Sequence, residues 1–399
     1  MIVRLLACAV MMGSSAWAAT PAPSAGGASG EPELRLFQQC VEKSEGSMMV
    51  SPFSVYETLR YLLPGAAGET KRQIQAVLPG VGSIRKNWKF LSGKVDPSLL
   101  CYTSNRIFID QTVNLAPDYV KTVGNDYLAK VPFRKNLKQA VRQINSWVEE
   151  RTEKRIQNLL SPEKVSVNTC VVLVNALYMR ARWGSGFDAK ETQNRPFYRE
   201  DGSSGKVPMM KQNVFMGNYY DRNGVRGASL FFKGDKGAPV FMAVLPPKGK
   251  NLKQFVAEIT AKEWRNTLSS LSTRNESGPE YHLRLPRFVQ ESPTDSLKDA
   301  LTALGMKEAF TTQADFTPMW KDHPFPLKVD DICQKNMIKV GEDGLEAVAA
   351  TAVVMQVFSL SPPSRPGPEI EFNRPFLWII YSPKDKAVLF AGTYFGPES

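Results

Sequence analysis

At 399 residues the chain is long enough for two or three average domains, or for one large mixed fold. Its hydrophobic, charged and aromatic shares of 43%, 22% and 10% are those of a folded globular chain, which excludes the disordered and collagenous classes. The 50 Lys and Arg against 39 Asp and Glu leave +11, which points to acidic surfaces or polyanions as neighbours and says nothing about fold.

The first residues have the layout of an export signal. Arg4 supplies a positive start, Leu5 to Met12 a short apolar core and Ala16-Trp17-Ala18 a small-x-small cleavage site. Residues 1–18 are therefore expected to be a signal peptide, and the protein to be secreted or periplasmic. A lipoprotein reading through Leu5-Leu6-Ala7-Cys8 leaves too short an apolar region ahead of Cys8. Residues 19–32, rich in Pro, Gly, Ala and Ser, read as a flexible tether, and residues 33–399 as the folded part. No apolar run reaches the roughly 18 residues of a membrane span. Cys40, Cys101, Cys170 and Cys333 lie far apart and form neither a disulfide scaffold nor a CxxC metal pair, so no disulfide is expected. Cys170, inside the apolar run TCVVLVNALYM, reads as a buried thiol.

In chain order, Glu33 to Cys40 and Ser54 to Leu63 have helical spacing, with Ser51 placed to cap the second ahead of Pro52. Gly68 opens a helix to Val77-Leu78. Ile84 to Val95 reads as another, carrying Arg85, Lys86, Lys89 and Lys94; this is either a solvated helix face or a site for a sulfated polysaccharide. Tyr102 to Ile109 is strand-like. Leu137 to Leu160 places Val141, Ile144, Trp147 and Val148 on one helical stripe. Thr169 to Met179 is apolar on both faces apart from Asn175, which predicts a strand in the middle of a sheet. Strands are predicted at Val240 to Leu245, Tyr281 to Phe288, Lys328 to Val340, Leu377 to Tyr381 and Ala387 to Phe395, with a helix at Ser296 to Leu304. Helices come first, strands dominate later, and no regular βαβ alternation appears, so the fold class is α+β.

The stretch from Gly341 to Phe376 stands apart. It joins an acidic Gly turn, a run of small and β-branched residues with divided helix and strand preference, and a Pro-rich segment unfit for a sheet interior. Two readings fit it: an edge strand with a proline linker, or a segment with two conformations.

Catalytic patterns are missing. His282 and His323 are the two histidines, which leaves few candidates for a Ser-His-Asp or Cys-His arrangement. GxSxG, HExxH, GxxxxGK[ST] and GxGxxG do not occur. Neither an enzyme nor a metal or organic cofactor is supported, and both histidines read as structural or surface residues.

Short motifs spread along the chain resemble the serpin family. They are Ser51-Pro52-Phe53-Ser54, Gly65-Ala66-Ala67-Gly68-Glu69-Thr70, Asn105-Arg106-Ile107-Phe108, Ile144-Asn145-Ser146-Trp147-Val148, Leu173-Val174-Asn175-Ala176-Leu177-Tyr178 and Val207-Pro208-Met209-Met210. Phe372-Asn373-Arg374-Pro375-Phe376 and Leu389-Phe390-Ala391-Gly392 complete the set, so the match runs from about Glu33 to Pro397. The resemblance implies one domain with three β-sheets, about eight or nine helices and an exposed reactive-centre loop. It implies a monomeric suicide substrate of serine proteases, with no nucleic acid partner and with cysteine proteases as a further target class. A non-inhibitory binding or carrier module is the alternative.

The resemblance also assigns residues. Glu342, Gly344, Leu345, Glu346, Ala347, Val348, Ala349 and Ala350 match the hinge, which joins the large sheet as a new strand after cleavage. Counting fourteen residues from Gly344 puts the cleaved bond at Phe358-Ser359, which suits a chymotrypsin-like protease. Leu360 and Met355 are neighbouring alternatives. Ser51, Ser54, Asn175 and Gln334 match the polar cluster beneath the place where the sheet parts. Trp183, Arg287 and Glu342 match the point where the loop enters, with an Arg287–Glu342 ion pair expected. Three residues depart from the family pattern: Gln334 where His is usual, Leu345 where Thr or Ser is usual, and Val348 where Ala is usual. They bear on the rate of insertion, since from Leu345 to Gln356 neither face of the would-be strand carries Pro or an aromatic side chain.

Overall fold

The computed structural model describes residues 31–78, 99–214, 217–235, 237–274, 280–292, 295–321, 327–345 and 367–397. It opens with α1 (Glu31–Lys43), β1 (Met48–Val50), α2 (Pro52–Leu62) and α3 (Gly68–Val77). Helix α1 begins two residues before the expected start of the folded part at Glu33, and the Tyr56 hydroxyl, donating to Pro32 O at 2.7 Å, ties that first turn to α2. Ser51 caps α2 by accepting from Ser54 N at 3.3 Å, an arrangement worth about 1 kcal/mol.

Next come β2 (Leu99–Asp110), α4 (Pro117–Val123), β3 (Leu128–Val131), α5 (Leu137–Arg151) and β4 (Val171–Arg182). Helix α5 buries Ala140, Val141, Ile144 and Val148 on the stripe seen in the sequence. It stops at Arg151, well short of Leu160: the Thr152 hydroxyl bonds back to Val148 O, and Glu153 and Lys154 take positive φ of 50° and 61°.

Four strands that the sequence reading missed follow: β5 (Gln193–Tyr198), β6 (Ser204–Val214), β7 (Tyr219–Arg222) and β8 (Val225–Phe231). Their polar and small residues dilute the alternation. Then come β9 (Val240–Leu245), α6 (Leu252–Glu258) and α7 (Ala261–Ser272). The predicted strand from Tyr281 to Phe288 is two strands, β10 (Tyr281–Pro286) and β11 (Phe288–Glu291), in different sheets. The break falls at Arg287, whose N–H makes the last bond along the β10–β6 register, to Pro208 O, before the chain changes partner and pairs with β13. After β12 (Asp295–Ser296) and α8 (Lys298–Ala303) come β13 (Asp331–Gly341), β14 (Gly344–Leu345), β15 (Glu369–Glu371), β16 (Phe376–Ser382) and β17 (Ala387–Tyr394). Ser296, expected in that helix, pairs as a strand with Cys333 instead.

The strands form three sheets. One runs β1-β17-β16-β9-β8-β7, a second β15-β10-β6-β5, and the large one β11-β13-β14-β4-β2-β3 with β12 also on β13. Strand β4 has neighbours on both sides, which is what its doubly apolar sequence requires. Strands β9, β16 and β17 carry the central core, in which Trp378, Phe376, Phe241 and Leu389 are no more than 1% exposed. Helix α2 packs between that sheet and β2 and β4, and so lies directly behind the large sheet.

Candidate functional site

The large sheet is forked at its top. Strands β13 and β4 pair directly and in parallel from Asp331↔Val172 to Asn336↔Leu177. Above that, β14 stands between them, with Leu345 opposite both Val340 and Ala181 and Gly344 opposite both Gly341 and Arg182. The two-residue turn Glu342-Asp343 reverses the chain, so that the end of β13 folds back into the gap beside it. Gly344 has φ 146°, and a Cβ at this position would run into the Ala181 carbonyl, so both the conformation and the space require glycine. Leu345 is 1% exposed within the second apolar cluster. Of the residues matched to the hinge, Gly344 and Leu345 are therefore already in the sheet. An apolar Leu is stable there, where a Thr or Ser hydroxyl would need a partner.

Side chains hold this fork. Trp183 donates from Nε1 to Gly341 O at 2.8 Å, its backbone N–H donates to Asp343 O at 3.0 Å, and its ring stacks on Phe232 at 4.8 Å. Glu342 Oε1 accepts from Thr192 Oγ1 at 3.0 Å and from Arg287 Nη1 at 3.3 Å. Thr192 was not singled out in the sequence, because nothing local marks a threonine in the turn ahead of β5.

Below the fork a buried polar network spans the line along which β13 and β4 would part. Gln334 on β13 faces Asn175 on β4, and its Nε2 donates to Asn175 Oδ1 at 2.7 Å. Gln334 also exchanges bonds with the Ser51 backbone, accepting from its N–H at 2.8 Å and donating to its O at 3.3 Å. Asn175 Nδ2 reaches Ser54 Oγ at 2.6 Å, Asn105 Oδ1 at 2.9 Å and Thr58 Oγ1 at 3.1 Å. Asn336 Nδ2 donates to Gln334 Oε1 at 2.8 Å. Ser51, Ser54, Thr58 and Asn175 are fully buried. Gln334 thus donates and accepts as a histidine would, without a titrating ring.

Asn105, Thr58 and Asn336 were missed as members. Two had a signal: Thr58 lies at i+4 from Ser54 on the same helix face, and Asn105 interrupts the apolar face of Ile107 and Ile109.

The loop's far end is held in the second sheet. There β15 pairs in parallel with β10, Arg284 bonds Glu369, and Arg195 Nε lies 2.8 Å from Glu371 Oε1. The Arg284 bond holds the Glu369 carboxyl below the usual carboxylate range. Between the two anchors, Glu346, Ala347, Val348, Ala349, Ala350, Phe358 and Ser359 lie outside the described residues, as do Arg85, Lys86, Lys89 and Lys94. His282 bonds Asn213 Oδ1 at 2.8 Å across strands, and Cys170 and Cys333 are buried thiols with pKa values raised by that burial. Among the described residues, no cluster of three or more His, Cys, Asp or Glu side chains is placed to hold a metal, and no helix is long and apolar enough to cross a membrane.

Comparison with known proteins places this architecture. A family model described as serpin, serine protease inhibitor, matches residues 31–397. Iris from Ixodes ricinus is 31% identical over 359 residues, 87% of this chain and 92% of that protein. Antichymotrypsin-2 from Bombyx mori is 30% identical over 374 residues, covering 90% and 95% respectively. Among solved structures, native protease nexin-1 with heparin superposes with a TM-score of 0.76 at 26% identity, over 92% of this chain and 97% of that one.

Proposed function

The chain belongs to the serpin family, whose members are in general protease inhibitors rather than catalysts, and on that premise we propose that it is an exported suicide substrate cleaved at Phe358-Ser359. The observation that carries this reading is β14: the segment leading into the loop already occupies the top of the gap between β13 and β4. A strand growing down from Leu345 needs only to separate the direct β13–β4 pairs, beginning next to Asn336↔Leu177.

The chemistry is an acyl transfer interrupted halfway. The protease serine oxygen attacks the Phe358 carbonyl, an ester forms to Phe358, and the Phe358–Ser359 C–N bond breaks with the proton going to the new Ser359 amine. Insertion of the freed hinge then carries the esterified Phe358 away from the loop's far anchor. A large apolar Phe358 suits the deep specificity pocket of chymotrypsin-like enzymes. The signal-like residues 1–18 support export, and the basic segment around Arg85, Lys86, Lys89 and Lys94 supports a polyanion partner.

Incubation with chymotrypsin tests the reading. The expected product is an adduct stable in SDS together with a released peptide that begins at Ser359. Clean cleavage without an adduct would overturn inhibition and leave the carrier-module reading, in which the loop is only a cleavable tether.

A further inference from the structure

One surface region is charged against its own local electrostatics. Between Asp126 and Glu149 the chain has no acidic residue and five cations, Lys130, Arg134, Lys135, Lys138 and Arg142. All five are exposed, and they fall on the corner formed by the end of β3, the following turn and the first two turns of α5. Among the described residues, none of the five has an ion-pair partner. Arg134 donates from Nη2 to Cys170 Sγ at 3.4 Å. The two carboxylates packed nearby are engaged elsewhere: buried Asp110 accepts from Thr112 and the Arg134 backbone, and Asp330 accepts from the Cys170 and Val171 backbone N–H groups.

The amino end of α5 has no acidic residue and carries Lys138 and Arg142 against the helix macrodipole, while the carboxyl end carries Glu149 and Glu150 together with Arg151. Helix stability alone favours acidic residues at the amino end. An anion seated at this end would be attracted by the side chains and by the helix terminus together.

We propose that the β3–α5 corner is a docking surface for a sulfated polysaccharide. Lys138 and Arg142 lie one turn apart, about 6 Å along the axis, and continue the line of Lys135. Gln139 and Gln143, also exposed, add neutral hydrogen-bond donors beside them. Stacking surfaces for bases are lacking: Phe133 is fully buried, and the half-buried Trp147 ring has the Arg106 guanidinium 5.4 Å from its centre. The chemistry is charge plus hydrogen bonding, which fits clustered sulfates rather than nucleobases. This surface shares no residue with the segment from Arg85 to Lys94, and its use requires no protease, so its failure leaves the inhibitor reading untouched.

The test uses immobilised heparin as the probe and the full chain. Replacing Lys135, Lys138 and Arg142 together by Gln is expected to weaken binding at least tenfold and to reduce the slope of log affinity against log salt by roughly two to three units. The melting temperature should fall no lower than the parent's, since unfavourable charge at the helix start is relieved. The same change at Arg85, Lys86 and Lys89 should leave most of the affinity. A second variant, Gln139→Glu with Gln143→Glu, keeps every cation and should also weaken binding. Affinity within twofold of the parent in both α5 variants would overturn the proposal, as would duplex DNA competing as well as heparin at equal charge.

Discussion

Asn175 is the residue on which the closed sheet depends most. It interrupts the apolar run at the start of β4, is fully buried, and joins β4 to α2, β2 and β13 through hydrogen bonds of 2.6 to 3.1 Å. Removing it leaves Gln334 Nε2 with only its longer 3.3 Å bond to Ser51 O and the Ser54 and Asn105 side chains each short of one partner, at about 1–3 kcal/mol for each buried group left unmade. Asn175→Ala is therefore expected to destabilise the uncleaved protein by about 2–4 kcal/mol, read as a lower denaturant midpoint with an unchanged slope. A loss under about 1 kcal/mol would mean that the network is decoration. This role was visible in the sequence because an amide inside TCVVLVNALYM is expensive unless satisfied. Of its partners on other elements, Thr58 and Asn105 had only a weak signal in helical and strand spacing, and Asn336 on β13 does not differ locally from an ordinary polar residue.

At the scale of elements, the loop is strung between two anchors of different chemistry. The upper anchor, β14, is apolar and steric: Leu345 is buried and Gly344 fits where no Cβ can. The lower anchor, β15, is a three-residue edge strand whose Glu369 and Glu371 meet Arg284 and Arg195. The Glu369 carboxyl is held below its usual range by the Arg284 hydrogen bond, so its stabilising contribution is complete at neutral pH and is lost as pH falls through that depressed value. Glu369→Gln should remove this acid-side step. The check is hydrogen exchange of the β15 and β10 amides at neutral pH and below the free carboxylate value of about 4.3. An acid-sensitive step of the same size in both proteins would contradict the assignment. Strong periodicity made β4, β9, β16 and β17 legible before any coordinates. The breaks at Arg287 and Arg151 were not, because a change of partner from β6 to β13 decides one and positive φ at Glu153 and Lys154 the other.

At the scale of the whole molecule, three sheets and α2 form a frame whose large sheet is closed below Asn336↔Leu177 and open above it. The α+β class followed from the sequence. The fork did not, because two residues of strand wedged between distant partners leave no periodic signature, and Leu345 on its own read as a departure bearing on the rate of insertion instead of a residue already in place. The central claim is that the fork lengthens once the loop is cut. About ten new ladder hydrogen bonds at a net 0.5–1.5 kcal/mol each would give a chain of this size a rise in melting temperature on the order of 10 °C. The direct measurement is the melting temperature before and after cleavage by a protease at or near Phe358-Ser359, with the carboxyl-terminal fragment, which carries β15 to β17, kept in the sample. A rise of that order is the predicted result; an unchanged or lower melting temperature would contradict the account.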